Sequence, residues 1–142
     1  MTYKISKIIT SSQLKSRATS VLMVYTGGTL GMVYDTKSKS LVPFDFDQIL
    51  VNVPELQRLE FELTTLTLPK PIDSSNIKPE TWIELARIIK NNFEDYDAFV
   101  ILHGTDTMAY TASALSFLLE NLSKPVILTG AQLPIGVART DA

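Results

Sequence analysis

Val21-Leu22-Met23-Val24-Tyr25 and Ala98-Phe99-Val100-Ile101-Leu102 are unbroken apolar runs, each stopped by glycine almost at once. A strand apolar on both sides needs cover on both faces of its sheet, which marks the central strands of a parallel sheet rather than a half-wet antiparallel one. Val126-Ile127-Leu128-Thr129 before Gly130 repeats the pattern, and Phe61 to Leu68 alternates like a further strand ended by Pro69 and Pro71. Helical patterns lie between them. Pro79 sits where a proline opens a helix, with Trp82, Ala86, Ile89 and Phe93 on one apolar face, and Met108 to Leu119 reads as a second helix whose alanine-rich face suits close packing. The strand, helix, strand series predicts an α/β fold, a mostly parallel sheet with helices on both faces.

Two other segments are less regular. Asp45 or Asp47 can cap a short helix through Ile49, Leu50 and Val53, broken near Pro54. From Val33 to Leu41 the chain is polar and lysine-rich without apolar periodicity, which reads as an exposed loop able to move over the neighbouring glycine turn.

With 142 residues, 45% hydrophobic and 20% charged, the chain fits one soluble domain with a sizeable core. A net charge of −2 lacks the basic footprint of a nucleic-acid binder. The absence of cysteine excludes disulfides and a thiolate nucleophile, and the single histidine, His103, argues against a transition-metal site. No apolar run reaches the ~20 residues that span a bilayer, so neither nucleic acid nor membrane is an expected partner. Lys4, Lys7, Lys15 and Arg17 precede the first acidic residue, Asp35, a bias shared with organellar transit peptides. A surface extension over residues 1–20, with Ile5, Ile8 and Ile9 resting on the domain, accounts for it equally well. Residues 21–142 show no internal repeat or linker. After Gly130 the chain runs through Pro134 and Gly136 to Ala142 with no helix to cover the last strand, so this domain is expected to be truncated at its C-terminal end.

Chemistry concentrates at Tyr25-Thr26-Gly27-Gly28-Thr29-Leu30-Gly31-Met32 and Leu102-His103-Gly104-Thr105-Asp106-Thr107-Met108. Both follow the carboxyl ends of strands, where open α/β sheets bind ligands. A hydroxyl on such a turn, with backbone N–H groups exposed beside it, has the geometry for attack on a carbonyl. A nucleotide site is the weaker reading, since Gly27 to Gly31 matches neither the dinucleotide fingerprint nor a Walker loop. Asp106 beside Thr105 is costly in a dry site unless it meets a cation or an amine, so a substrate α-amino group is its natural partner. His103, directly after an apolar strand, reads as a satisfied structural histidine rather than a general base. Asp73-Ser74-Ser75-Asn76 reads equally as a cap or as a substrate contact. Trp82 and the methionines fall at core spacing.

Thr26-Gly27-Gly28-Thr29 and His103-Gly104-Thr105-Asp106-Thr107-Met108 resemble the two signature motifs of the bacterial-type L-asparaginase family. The wider match through Tyr25 to Met32, Asp73-Ser74-Ser75, Pro79 to Trp82 and Asp97 to Pro125 is most similar to the cytoplasmic type I members, and it covers Val21 to the end. The resemblance implies cofactor-free and metal-free hydrolysis of L-asparagine to L-aspartate and ammonia in the cytoplasm, by a homodimer or homotetramer. Thr29 then falls on the nucleophile that forms an acyl-enzyme. Thr105 and Asp106 fall on a second catalytic pair, whose threonine works with a lysine. Asp106 is implied to bind the α-amino group, and Asp73, Ser74 and Ser75 complete the substrate-binding set, the serines taking the α-carboxylate.

Two departures stand out. The family's activating tyrosine lies where this chain has Lys39-Ser40-Leu41, with Tyr34 nearer on the same loop. The family's catalytic lysine lies beyond the segment resembling Val126 to Asp141, and Lys124 is not that residue. The chain alone is therefore expected to be a poorly active fragment. Two alternatives are an ammonia-releasing, asparaginase-like subunit of a tRNA-dependent amidotransferase and a non-catalytic asparagine or aspartate binder.

Overall fold

A computed structural model describes residues 3–9, 19–43, 53, 56 and 61–142. The apolar runs form a five-stranded sheet in the order β1-β5-β2-β6-β7. These strands are β1 (Lys4–Ile9), β2 (Thr19–Tyr25), β5 (Phe61–Thr67), β6 (Ala98–Leu102) and β7 (Val126–Thr129). Only the β1–β5 pairing is antiparallel, so the sheet is mostly parallel, as the apolar runs predict. Tyr25 pairs with both Thr67 and Leu102, and Leu102 with Thr129, so the carboxyl ends of four strands finish level. That register is what brings the two glycine turns together.

Strand alternation sends each residue to one of two cores. Leu22, Val24, Leu66, Phe99 and Ile101 point to the first, under Leu85, Ile88 and Ile89 of α1 (Pro79–Asn91) and Leu115 of α2 (Met108–Leu118). Each such side chain removed from water contributes about 1.5–3 kcal/mol. The deepest stripe of α1 is Thr81, Leu85, Ile88 and Ile89, with Trp82, Ala86 and Phe93 half-buried beside it. Trp82 sits off-centre because its indole N–H reaches across to Thr111 of α2 at 3.0 Å. α2 buries Thr111 and Leu115 rather than an alanine face, and Phe117 is left 83% exposed.

Tyr25, Leu30, Leu63, Leu102 and Ala131 form the second core, with Val53, Leu56 and Ile135 packed on it. Both described α-helices therefore cover the first face, while the described residues on the second face come from turns and loops. The short helix expected through Ile49 and Leu50 lies outside the described residues, apart from Val53 at its end.

Two expectations are corrected. Part of the N-terminal segment joins the sheet as strand β1 rather than resting on the domain, because β5 offers it an open row of backbone donors and acceptors. The segment Val33 to Leu41 is not a loop but the body of a hairpin, β3 (Met32–Asp35) and β4 (Ser40–Pro43), forming its own two-stranded sheet. Turn chemistry supplies what periodicity lacks. The Asp35 carboxylate accepts the N–H groups of Lys37 at 3.1 Å and Ser38 at 3.0 Å, and Lys39 takes a positive φ of 53°. At the opposite margin of the main sheet, β7 is the outermost described strand, and its Ile127 is 54% exposed.

Candidate functional site

The turn after β2 carries Thr29 at the head of a short 3-10 segment, Thr29–Gly31, entered through Gly28 at φ 91° and ψ 166°. A side chain at Gly28 would stand 2.7 Å from the backbone of Gly104, which no Cβ tolerates. Glycine is therefore required twice over, by the positive φ and by the approach of the second turn. Beneath this turn, the buried Tyr25 hydroxyl lies 3.3 Å from Gly28 O and 3.2 Å from Gly31 O. Burial pushes its pKa up to about 12, so it stays a neutral donor bracing both ends of the segment that holds Thr29. Among the described residues, no hydrogen bond engages the Thr29 hydroxyl.

The turn after β6 is built differently. Thr105–Thr107 forms another 3-10 segment, entered through Gly104 with an ordinary extended backbone. His103 is 1% exposed and lies behind the turn. Its Nδ1 meets the carbonyl of Gly104 at 2.6 Å, so that nitrogen carries the proton, and its Nε2 accepts from the Thr111 hydroxyl at 2.9 Å. Thr111 Oγ1 in turn accepts the Trp82 indole N–H at 3.0 Å. Burial holds the His103 pKa below its usual value, with the Gly104 bond opposing in part. The ring is thus the satisfied structural histidine that its place after an apolar strand predicts.

Thr26 ties the turns to each other, its N–H and its hydroxyl both donating to Leu102 O at 3.0 Å. A third wall comes from the segment after β5. Ile72 N–H bonds Thr26 O at 2.8 Å, and Thr107 Oγ1 donates to Ser74 O at 2.7 Å. Gly104 passes so near Ser74 that an added Cβ would lie 2.5 Å from the serine Oγ.

These contacts enclose one open cleft of about 420 Å³, lined by Gly28, Thr29, Asp73, Ser74, Gly104, Thr105 and Asp106, with Met32 and Pro43 from the hairpin. Thr29, Thr105, Asp106, Asp73 and Ser74 are thereby brought together. Ser75 is not on the lining. It donates its N–H (3.0 Å) and hydroxyl (2.7 Å) to Asp73 Oδ1, capping the Ser74–Asn76 turn and holding the Asp73 carboxyl below its usual range. The cluster therefore serves both as a cap and as a wall. Asp106 is exposed, so its carboxylate stands at the open cleft rather than in a dry interior. Tyr34 is 59% exposed on β3 and outside the lining. Lys124 donates to Phe93 O and lies 4.8 Å over that ring, also outside the cleft. Gln132 does line the cleft, bonded to Thr105 Oγ1 at 2.8 Å, and neither glycine motif points to it.

Comparison with known proteins gives a consistent result. Residues 20–142 match the family model described as Asparaginase, N-terminal. The chain is 50% identical over 123 residues to L-asparaginase 1 of Escherichia coli K12, covering 86% of this chain and 36% of that protein. The crystal structure of L-asparaginase I from Vibrio cholerae superposes with a TM-score of 0.77 at 43% identity, over 87% of this chain and 37% of that one. That of a probable cytoplasmic L-asparaginase from Campylobacter jejuni gives 0.68 at 32% identity, over 87% and 36%. The chain spans little more than a third of the length of each of these.

Proposed function

Since the chain belongs to the asparaginase family, matching its N-terminal domain, we propose that it supplies the nucleophile-bearing part of an enzyme that hydrolyses L-asparagine to L-aspartate and ammonia. The observation that carries this reading is the convergence of Thr29, Ser74, Thr105 and Asp106 on one small cleft. Its volume falls in the range of sites that enclose small ligands.

In this mechanism the Thr29 oxygen attacks the side-chain amide carbon. Its proton passes to the departing nitrogen, the C–N bond breaks and an ester to Thr29 remains. Water then adds to the ester carbon, the bond to Thr29 breaks, and a proton from that water returns to the Thr29 oxygen as aspartate leaves. Thr105 on the same lining is the proton-handling hydroxyl, and main-chain N–H groups of the turns are the donors assigned to the developing oxyanion. Asp106 offers a negative charge to the α-ammonium group, while Ser74 and the neighbouring Asp73 turn bound the α-carboxylate end. The domain is residues 21–142, working in the cytoplasm within a homodimer or homotetramer. A polypeptide with only this third of the relatives' length turns over poorly by itself.

Ammonia release from L-asparagine tests the reading. In the whole protein, Thr29→Ala is expected to lower kcat at least about a thousandfold, with the unfolding midpoint unchanged. Turnover that survives the substitution refutes the assignment.

A further inference from the structure

Gln132, beyond the end of β7, reaches the cleft from a loop that carries none of the glycine motifs. Its Nε2–H donates to Thr105 Oγ1 at 2.8 Å. An exposed side-chain amide is held weakly where water competes for it, but here its backbone is fixed. The Asp141 carboxylate accepts the N–H of Gln132 at 3.1 and 2.9 Å and that of Leu133 at 3.0 Å, clasping the two ends of the loop. Between them, Ile135 N–H bonds Leu30 O at 3.1 Å, joining the loop to the turn that carries Thr29. The Gln132 side chain is thus carried on a tethered backbone.

A threonine hydroxyl has one proton and two acceptor lone pairs. With a lone pair of Thr105 Oγ1 taken by an N–H donor, its proton is directed away from Gln132, and negative charge gathering on that oxygen meets a donor already in place. We propose that Gln132 is a positioning residue which fixes Thr105 as a donor toward the cleft and steadies its oxygen when it gives up the proton. The inference rests on reading the cleft as an amide-hydrolysing site. The hydrogen bond of its side chain ends on Thr105, so the role assigned to it is one of polarity.

Polarity is what the experiment reverses. Gln132→Glu keeps the shape but presents an ionised acceptor, forcing Thr105 to donate to it and withdrawing its proton from the cleft. At pH 7.5, Gln132→Ala is expected to lower kcat for L-asparagine about tenfold, the loss of one hydrogen bond. Gln132→Glu is expected to lower it about a hundredfold, because a negative charge is added beside the reacting oxygen. Only the Gln132→Glu variant should regain activity, relative to wild type, as pH falls toward the ordinary glutamate pKa of about 4.3. A second readout needs no substrate: slowed hydrogen exchange of the Gln132 side-chain amide by NMR, lost on Thr105→Val. Equal kcat and pH profiles for the Ala and Glu variants, or an amide exchanging as fast as free glutamine, overturn the proposal. If the wild-type protein turns over no asparagine while the amide stays protected until Thr105→Val, the bond to Thr105 is supported and the asparagine reading is the one removed.

Discussion

The turn after β2 is set by a positive φ and by a tyrosine hydroxyl bonded to its backbone carbonyls, whereas in the turn after β6 side-chain hydrogen bonds reach the threonine itself. In the first, a positive φ at Gly28 and the Tyr25 brace set the segment, and among the described residues no hydrogen bond engages the Thr29 hydroxyl. In the second, the backbone is ordinary at Gly104, and the chain Trp82, Thr111, His103 holds the turn from behind while Gln132 occupies Thr105 in front. The difference matches the work proposed for each. A nucleophile must be rigidly carried yet chemically unencumbered, which a positive φ and a brace on the backbone carbonyls achieve without touching the hydroxyl. A proton-handling group needs its hydrogen aimed, which calls for a partner on the hydroxyl itself.

The comparison breaks most severely at Gly28. Gly28→Ala adds a Cβ against the Gly104 backbone in a φ that alanine avoids, and it is expected to cost about 3 kcal/mol or more in urea unfolding. A cost below about 1 kcal/mol would mean that the turn adapts and is not backbone-set.

The second turn should instead respond to pH. Burial places the folded-state pKa of His103 below its unfolded value, so the unfolded chain takes up the proton first as pH falls. Stability is then full above about pH 6.5 and declines below it, by at most about 1.4 kcal/mol per pH unit until the folded-state pKa is reached. Asp73 and Asp141, whose pKa values are also depressed, act only below their ordinary value of 3.8. Urea unfolding between pH 7.5 and 4.5 isolates the histidine, and His103→Asn should flatten this part of the profile.

A smaller loss comes from further along the same chain. Trp82→Phe keeps the ring but removes the donor to Thr111, with an expected cost of about 1 kcal/mol in thermal or chemical unfolding. Smallest of all is Thr29→Ala, expected to change stability by less than about 0.5 kcal/mol, since no hydrogen bond of the described residues is lost. A larger effect there would show that Thr29 is part of the scaffold and would undo the contrast between the turns.

The sequence made the sheet's inner strands and both helices legible because their signals are strong and local: apolar runs at Val21 and Ala98, and a proline at the first position of α1. It hid β1 and the β3–β4 hairpin, which form through pairing or through the Asp35 turn rather than through an apolar period in the sequence. The places of Thr29, Thr105 and Asp106 on the cleft lining are legible from their glycine turns. Ser74 and Ser75, adjacent and chemically alike, were not separable, since only the Asp73 cap decides which of them turns away. Gln132 was missed because its bond to Thr105 spans separate loops. The one local hint, an aspartate at Asp141 able to clasp the backbone, is legible only after the loop is seen.

The claim that the two turns form one site can be tested directly by titrating the isotopically labelled chain with L-aspartate and following its backbone amides by NMR. The account predicts that Gly28, Thr29, Gly104, Thr105 and Asp106 shift together along one saturation curve with a single Kd, and that Asp106→Asn weakens the whole set at once. Shifts confined to one turn, or two turns saturating with different Kd values, would contradict it.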